Sequence, residues 1–181
     1  MFFSTKQCDG ANKNQLWARA LSETYFPLST EFANEAEFDG TLQSWSLGIL
    51  GLSQMEVDGT LYRRKKSHFA NEKDSSLLIT IPRSEDVHFT QSSRDAQCSP
   101  GGFLVERGDI PYDFWHSKRN KLWVLKVPTA SVRSRLGATD RFGALTFDAT
   151  QGVGMFFVGA VRNAIENIET INDAAREMAG H

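Results

Sequence analysis

Apolar and polar positions along the chain change rhythm twice. In Gln15 to Tyr25, "QLWARALSETY", Leu16, Trp17, Ala20, Leu21 and Tyr25 recur at three- and four-residue intervals, the spacing of one helical face. Phe26-Pro27 should end that helix, because a residue before proline is pushed out of the helical region. The first ten residues read as a loose polar segment, and the acidic stretch up to Asp39-Gly40 reads as loop.

From Thr41 to Val127 the period drops towards two. Short runs at 41–46, 49–57, 60–66, 77–81, 87–91, 95–98, 103–107, 110–114 and 121–127 alternate with turn signals such as Leu47-Gly48, Asp58-Gly59, Ser92-Ser93 and Pro100-Gly101-Gly102. Asn71 to Asp74 reads as a polar loop. Many short strands at close spacing predict a mainly β fold, a double-sheet barrel of jelly-roll type.

Helical spacing then returns. Pro128 suits a helix start and Gly137 a helix stop, which predicts a helix over Thr129 to Leu136. Leu145 to Thr150 reads as a connection. Gly152 to Met178 reads as one helix, on the order of 40 Å long at the usual rise per residue. Within it Phe157, Val161, Ala164, Ile168, Ile171, Ala175 and Met178 are spaced 4, 3, 4, 3, 4, 3, a heptad seam suited to dimerisation. A helix packed on its own barrel fits the same residues, and both readings stay open.

Composition narrows the function. The chain has 181 residues, 40% hydrophobic, with 13 Phe, 4 Trp and 3 Tyr, ample for a folded core. Its formal charge of −2 gives no overall basic character with which to hold nucleic acid. Only Cys8 and Cys98 are present, and no signal-peptide or membrane-spanning run is seen, so a cytoplasmic protein without disulfides or membrane contact is expected.

Candidate chemistry is sparse. In the basic run Arg63-Arg64-Lys65-Lys66, strand alternation sends Tyr62, Arg64 and Lys66 to one face and Arg63 and Lys65 to the other. An inward Arg64 requires a partner, expected to be an acid of the protein or of a ligand. No two of His68, His88, His116 and His181 lie within four residues of one another, so no metal site and no cofactor are expected. No Gly-x-Ser-x-Gly elbow occurs, and neither cysteine has a nearby histidine; nothing argues for an enzyme. Among the aromatics Trp45, Tyr112, Trp115 and Trp123 are candidates to line a pocket, although parity puts Tyr112 and Trp115 on opposite faces unless a bulge intervenes.

Order and spacing over Trp17 to Leu136 carry a resemblance. Leu47-Gly48 precedes an apolar strand, and Tyr62-Arg63-Arg64-Lys65-Lys66, "SLLITIP" and Gln91 follow. Pro100-Gly101-Gly102, Asp109, Pro111-Tyr112 and "LWVLKVP" leading into "SVRSRL" complete it. The combination resembles the N-terminal sensing domain of AraC/XylS-type bacterial transcription regulators. Two positions depart from that pattern: Gly102 stands where an aspartate is usual, and Arg83-Ser84-Glu85-Asp86 replaces a glycine turn.

The resemblance implies a cupin-like barrel over 1–136 that binds a small effector, Arg64 among its contacts. It implies a helical dimerisation element over 137–181 and a homodimer. DNA would be contacted only through a helix-turn-helix domain absent from this sequence. A small aromatic or acidic metabolite is the expected effector. A metal-dependent cupin oxygenase or isomerase and a purely structural dimerisation module are the alternatives.

Overall fold

The computed structural model describes residues 1–8, 12–70, 75–138 and 140–179. The polar loop expected at Asn71 to Asp74 and His181 lie outside them. The first helix, α1, spans Lys13–Thr24 and buries Trp17, Ala20 and Leu21. Leu16, expected on the same face, is instead exposed. Tyr25 caps the helix and is itself buried.

Twelve strands follow the expected rhythm and add to it: β1 (Phe2–Ser4), β2 (Ser29–Phe32), β3 (Gly40–Leu47), β4 (Leu50–Val57), β5 (Thr60–Arg64), β6 (Ser76–Pro82), β7 (Val87–Gln91), β8 (Arg94–Cys98), β9 (Gly102–Arg107), β10 (Tyr112–His116), β11 (Asn120–Pro128) and β12 (Leu145–Asp148). They pair antiparallel in two sheets. One has the order β1-β3-β4-β11-β6-β9-β12 and the other β2-β5-β10-β7-β8. The expected mainly β double-sheet barrel is therefore present. Gly48, at φ +57°, supplies the left-handed residue in the two-residue turn between β3 and β4.

Three strands correct the sequence expectation. The loose N-terminal segment pairs with β3 through β1, and the Met1 ammonium donates to the Ser44 carbonyl at 2.7 Å. Part of the acidic loop becomes β2. The connection after α2 (Thr129–Leu136) becomes β12 on the edge of the large sheet, where Phe147 stacks on Phe103 at 4.8 Å. Short edge strands carry few inward apolar side chains, so alternation hardly marks them.

The long helix is also corrected. Helix α3 spans Gly152–Asn167 and α4 spans Asp173–Ala179. Polar side chains interrupt them: Thr170 N–H and Oγ1 both donate to the Asn167 carbonyl, and Asn172 Oδ1 accepts the Ala175 N–H at 2.9 Å as the cap of α4. The continuous heptad seam does not exist. Phe157, Val161 and Ala164 pack with Val158 and Ile165 onto the outer face of the large sheet, over Leu52, Ile81 and Leu125. Ile168 is fully buried, Ile171 and Ala175 are half-buried, and Met178 is exposed. The helix that braces its own barrel is the arrangement found for α3. Burying Val158, Val161 and Ile165 contributes roughly 1.5–3 kcal/mol each at most.

Candidate functional site

Strand parity defines the interior. Leu42, Met55, Leu122, Leu78 and Leu104 of the large sheet face Tyr62, Phe114 and Phe89 of the small one. Towards the end of the barrel where β3 turns into β4, the same parity gives way to small and polar side chains. Ser44, Ser46, Ser53, Ser76 and Lys126 line a mouth of about 730 Å³, roofed on one side by Asp173, Arg176 and Glu177 of α4. Gly51 stands opposite Lys126, and a Cβ there would lie 3.2 Å from Lys126 Cβ, so glycine gives the lysine stem its room.

Beneath the mouth lies a smaller hollow of about 30 Å³, room for one or two water-sized groups. Tyr25, Tyr62, Tyr112, Phe114, Thr80 and Glu106 line it, with aliphatic side chains of β4, β6 and β11. Tyr25 borders both spaces. Its hydroxyl shares a 2.6 Å hydrogen bond with Ser53, a residue of the mouth.

The segment Tyr25-Phe26-Pro27 forms a strap held from both sheets. Lys126 Nζ of β11 donates to the Tyr25 carbonyl, and Arg64 Nη1 of β5 donates to the Pro27 carbonyl. Arg64 is buried and inward as expected. Its other donors reach the carbonyls of Gly108 at 3.0 Å and His68 at 3.5 Å, and its guanidinium lies 4.1 Å from the Phe26 ring centre. Among the described residues, main-chain oxygens take the Nε and Nη1 donors of Arg64.

Glu106 is the chemical surprise. It is 3% exposed, and the Thr80 hydroxyl donates to its Oε1. Burial pushes its pKa up to about 8, a rise that the Thr80 hydrogen bond only partly offsets. Near neutral pH it is therefore mostly a neutral acid. Burial also raises the pKa of Tyr25, Tyr62 and Tyr112, which stay phenols. The buried Tyr62 hydroxyl, although Thr60 is near enough to affect its ionisation, makes no hydrogen bond of acceptable geometry.

Of the five candidate ligand residues, the structure brings Arg64 and Tyr112 together on paired positions inside the barrel. It puts Trp45 at the mouth and the other two on outer faces. Trp45 packs with the α3 cluster at the rim of the mouth. Trp115 is on the outer face of the small sheet, stacked on His88 at 5.2 Å; no bulge rescues it, so parity holds. Trp123 lies on the outer face of the large sheet with the Arg83 guanidinium 4.1 Å from its ring. Glu106, Thr80, Tyr25 and Tyr62 were missed. Tyr62 shares the parity of Arg64, and Glu106 that of Leu104, which was the available signal.

The described histidines are dispersed. His68 Nδ1 accepts the Lys65 N–H, His88 is outward, and His116 is buried with its Nδ1 2.8 Å from the Lys118 carbonyl. Among the described residues no three His, Cys, Asp or Glu side chains converge as a metal site would require. Arg63 faces outward to Asp113 and Glu31, each at 2.9 Å, a solvated edge cluster. Among the described residues no helix is long and apolar enough to cross a membrane.

Comparison with known proteins gives the family. In structure the chain is similar to the AraC-like transcriptional activator CuxR, with a TM-score of 0.84 at 14% identity, over 99% of this chain and 65% of that one. Similarity to a cupin domain of an XRE family regulator from Enterobacter cloacae has a TM-score of 0.39 at 9% identity, over 49% of this chain and 95% of that one. A putative ethanolamine utilization protein from Salmonella typhimurium also scores 0.39, at 8% identity, over 49% of this chain and 69% of that one. No curated protein matches the sequence. The model of the AraC-binding-like domain matches residues 17–181, and the chain belongs to that family.

Proposed function

We propose that this chain is the small-molecule-sensing and dimerisation part of an AraC/XylS-type transcription regulator. A metabolite binds inside the barrel, and DNA is contacted through a separate helix-turn-helix domain of the full regulator. The observation that carries this reading is the polar-ended interior: a hollow around Glu106, a strap over it, and a wide mouth beyond. The family assignment supports it. The site is suited to binding without transformation, because no second acid, histidine or cysteine lines the hollow among the described residues.

The strands that line the hollow also carry α3. Leu122 and Val124 face inward on β11, while Trp123 and Leu125 face the helix. A ligand that shifts β11 therefore acts on α3 through one layer of backbone. Such a switch needs a ligand that prefers one arrangement to the other.

A metabolite library screened by thermal shift, with hits measured by calorimetry, tests the location. Leu122→Trp fills the hollow and should weaken a genuine hit by at least about tenfold, the loss expected when a well-packed site is obstructed. Hits that bind the filled barrel unchanged would place the effector site elsewhere.

For the dimer, we assign the contact to the outward face of α3 in place of the seam. Val153 is 84% exposed and Phe156 72%, with Met155 beside them, a patch that a second copy would cover. In sedimentation the wild type should run as a dimer, and Val153→Asp with Phe156→Asp as a monomer. A monomeric wild type, or a dimer that survives both charges, would remove this surface.

A further inference from the structure

We propose that the hollow beside Glu106 receives the charged head of a compact primary ammonium compound, with Glu106 as its counter-ion. This rests on the barrel reading above and names the class of effector.

A carboxyl group inside an apolar core is costly to keep unless it serves a bond or a ligand. Thr80 occupies Oε1 of Glu106, and the hollow lies against the same side chain. No lysine or arginine lines that hollow among the described residues. Two inward cations near it donate to main-chain carbonyls: Lys126 of the mouth to that of Tyr25, and Arg64 to those of Pro27 and Gly108. The remaining walls are aromatic. Tyr25, Tyr62, Tyr112 and Phe114 offer ring faces that attract a cation and resist an anion. The Tyr62 hydroxyl, buried and without a good hydrogen bond, can accept one from an N–H donor.

Size agrees with charge. The hollow takes a water-sized group, which an ammonium head is, and Tyr25 separates it from the mouth. A short alkyl or aryl tail then runs past Tyr25 into the serine-lined space. An acidic metabolite, the other expectation, would set a second carboxylate against Glu106.

The proton balance is explicit. Ionised Glu106 pairs with the incoming ammonium, and its proton leaves to the buffer. The titratable groups facing it from the neighbouring elements are Tyr25, Tyr62 and Tyr112, all held in the phenol form by burial. Glu106 alone therefore exchanges a proton, nearly one per ligand at neutral pH.

Calorimetry with two matched pairs, butylamine against butyrate and benzylamine against benzoate, tests this at neutral pH in phosphate and in HEPES, neither of which is a primary amine. The amines should bind, with a buffer-dependent enthalpy that reports proton release, and the acids should not. Glu106→Gln should weaken amine binding on the order of a hundredfold, as when one partner of a buried charge pair is removed. Carbon-13 NMR of the Glu106 carboxyl in the wild type gives a readout independent of any variant's folding: amine addition should move it to the carboxylate position. No amine binding at millimolar concentration, an unmoved carboxyl signal, or full affinity in Glu106→Gln would overturn the proposal. If the acids bind instead and lose affinity in Leu122→Trp, the barrel remains the effector site and only the cationic class falls.

Discussion

Replacing Glu106 by glutamine should destabilise the protein near pH 5 and stabilise it near pH 8.5, so that the two melting curves cross. The sign follows from the raised folded-state pKa of about 8 against an ordinary value of 4.5. Below the ordinary value both folded and unfolded chains hold the proton, and burial of the neutral acid costs little. As pH rises from about 4.5 to 8 the unfolded chain releases that proton while the folded chain keeps it, and stability falls by about 1.4 kcal/mol per unit. Across the window the loss amounts to a few kcal/mol. Glutamine does not titrate, so it escapes the loss. At acid pH it is the poorer residue, because its amide donors need partners that a carboxylic acid does not, a cost of about 1–3 kcal/mol. His116, whose pKa burial lowers, weakens both proteins alike on the acid side, and the difference between them isolates Glu106. A difference in melting temperature that stays flat from pH 5 to 8.5 would show that this carboxyl is not buried as described.

Trp17→Ala should cost about 3–5 kcal/mol, the range for deleting a large aromatic from a core. Trp17 is fully buried and joins α1 to the barrel. Its ring lies 5.6 Å from that of Phe38 and 6.0 Å from that of Phe3, and a Cβ on Gly40 would approach it to 3.0 Å. The surrounding strands cannot close over so large a gap, because Gly40 is fixed in β3 by its pairing with Val57. In a domain of this size the melting temperature should drop by roughly 10 °C. Gly40→Ala presses on the same ring from the other side and should also lower it. A shift of less than about 2 °C for Trp17→Ala would mean that α1 is not part of the core.

Where alternation was regular, the sequence was legible. The runs that became β6, β7 and β11 were bounded nearly as found, because each buries one face against the interior, and Pro82 and Pro128 mark the ends of β6 and β11. Parity also separated Tyr112 from Trp115 correctly. It could not say which face of each strand is the interior, so of the three candidate tryptophans Trp45 lines the mouth while Trp115 and Trp123 lie on outer faces. Glu106 was hidden by its neighbours. It lay within the expected run 103–107 and shared the parity of Leu104, but beside Arg107 it read as a solvated charge, and the pairing of β9 with β6 puts that face inward. The heptad spacing after Gly152 was real as a pattern. Its break at Asn167 to Asn172 depends on side chains capturing backbone groups, an effect that apolar periodicity does not register.

A strap pinned to both sheets has a kinetic consequence. For a ligand bound in the inner hollow as proposed, entry past Tyr25-Phe26-Pro27 would require this segment to lift, and lifting breaks bonds to Ser53, Lys126 and Arg64 together. Arrival would then be governed by how often the latch opens, and capture would level off as solute concentration increases, in place of the linear rise of an open cleft. The same latch would lengthen residence once it reseals, so a ligand bound as proposed would stay after a brief pulse of it had passed.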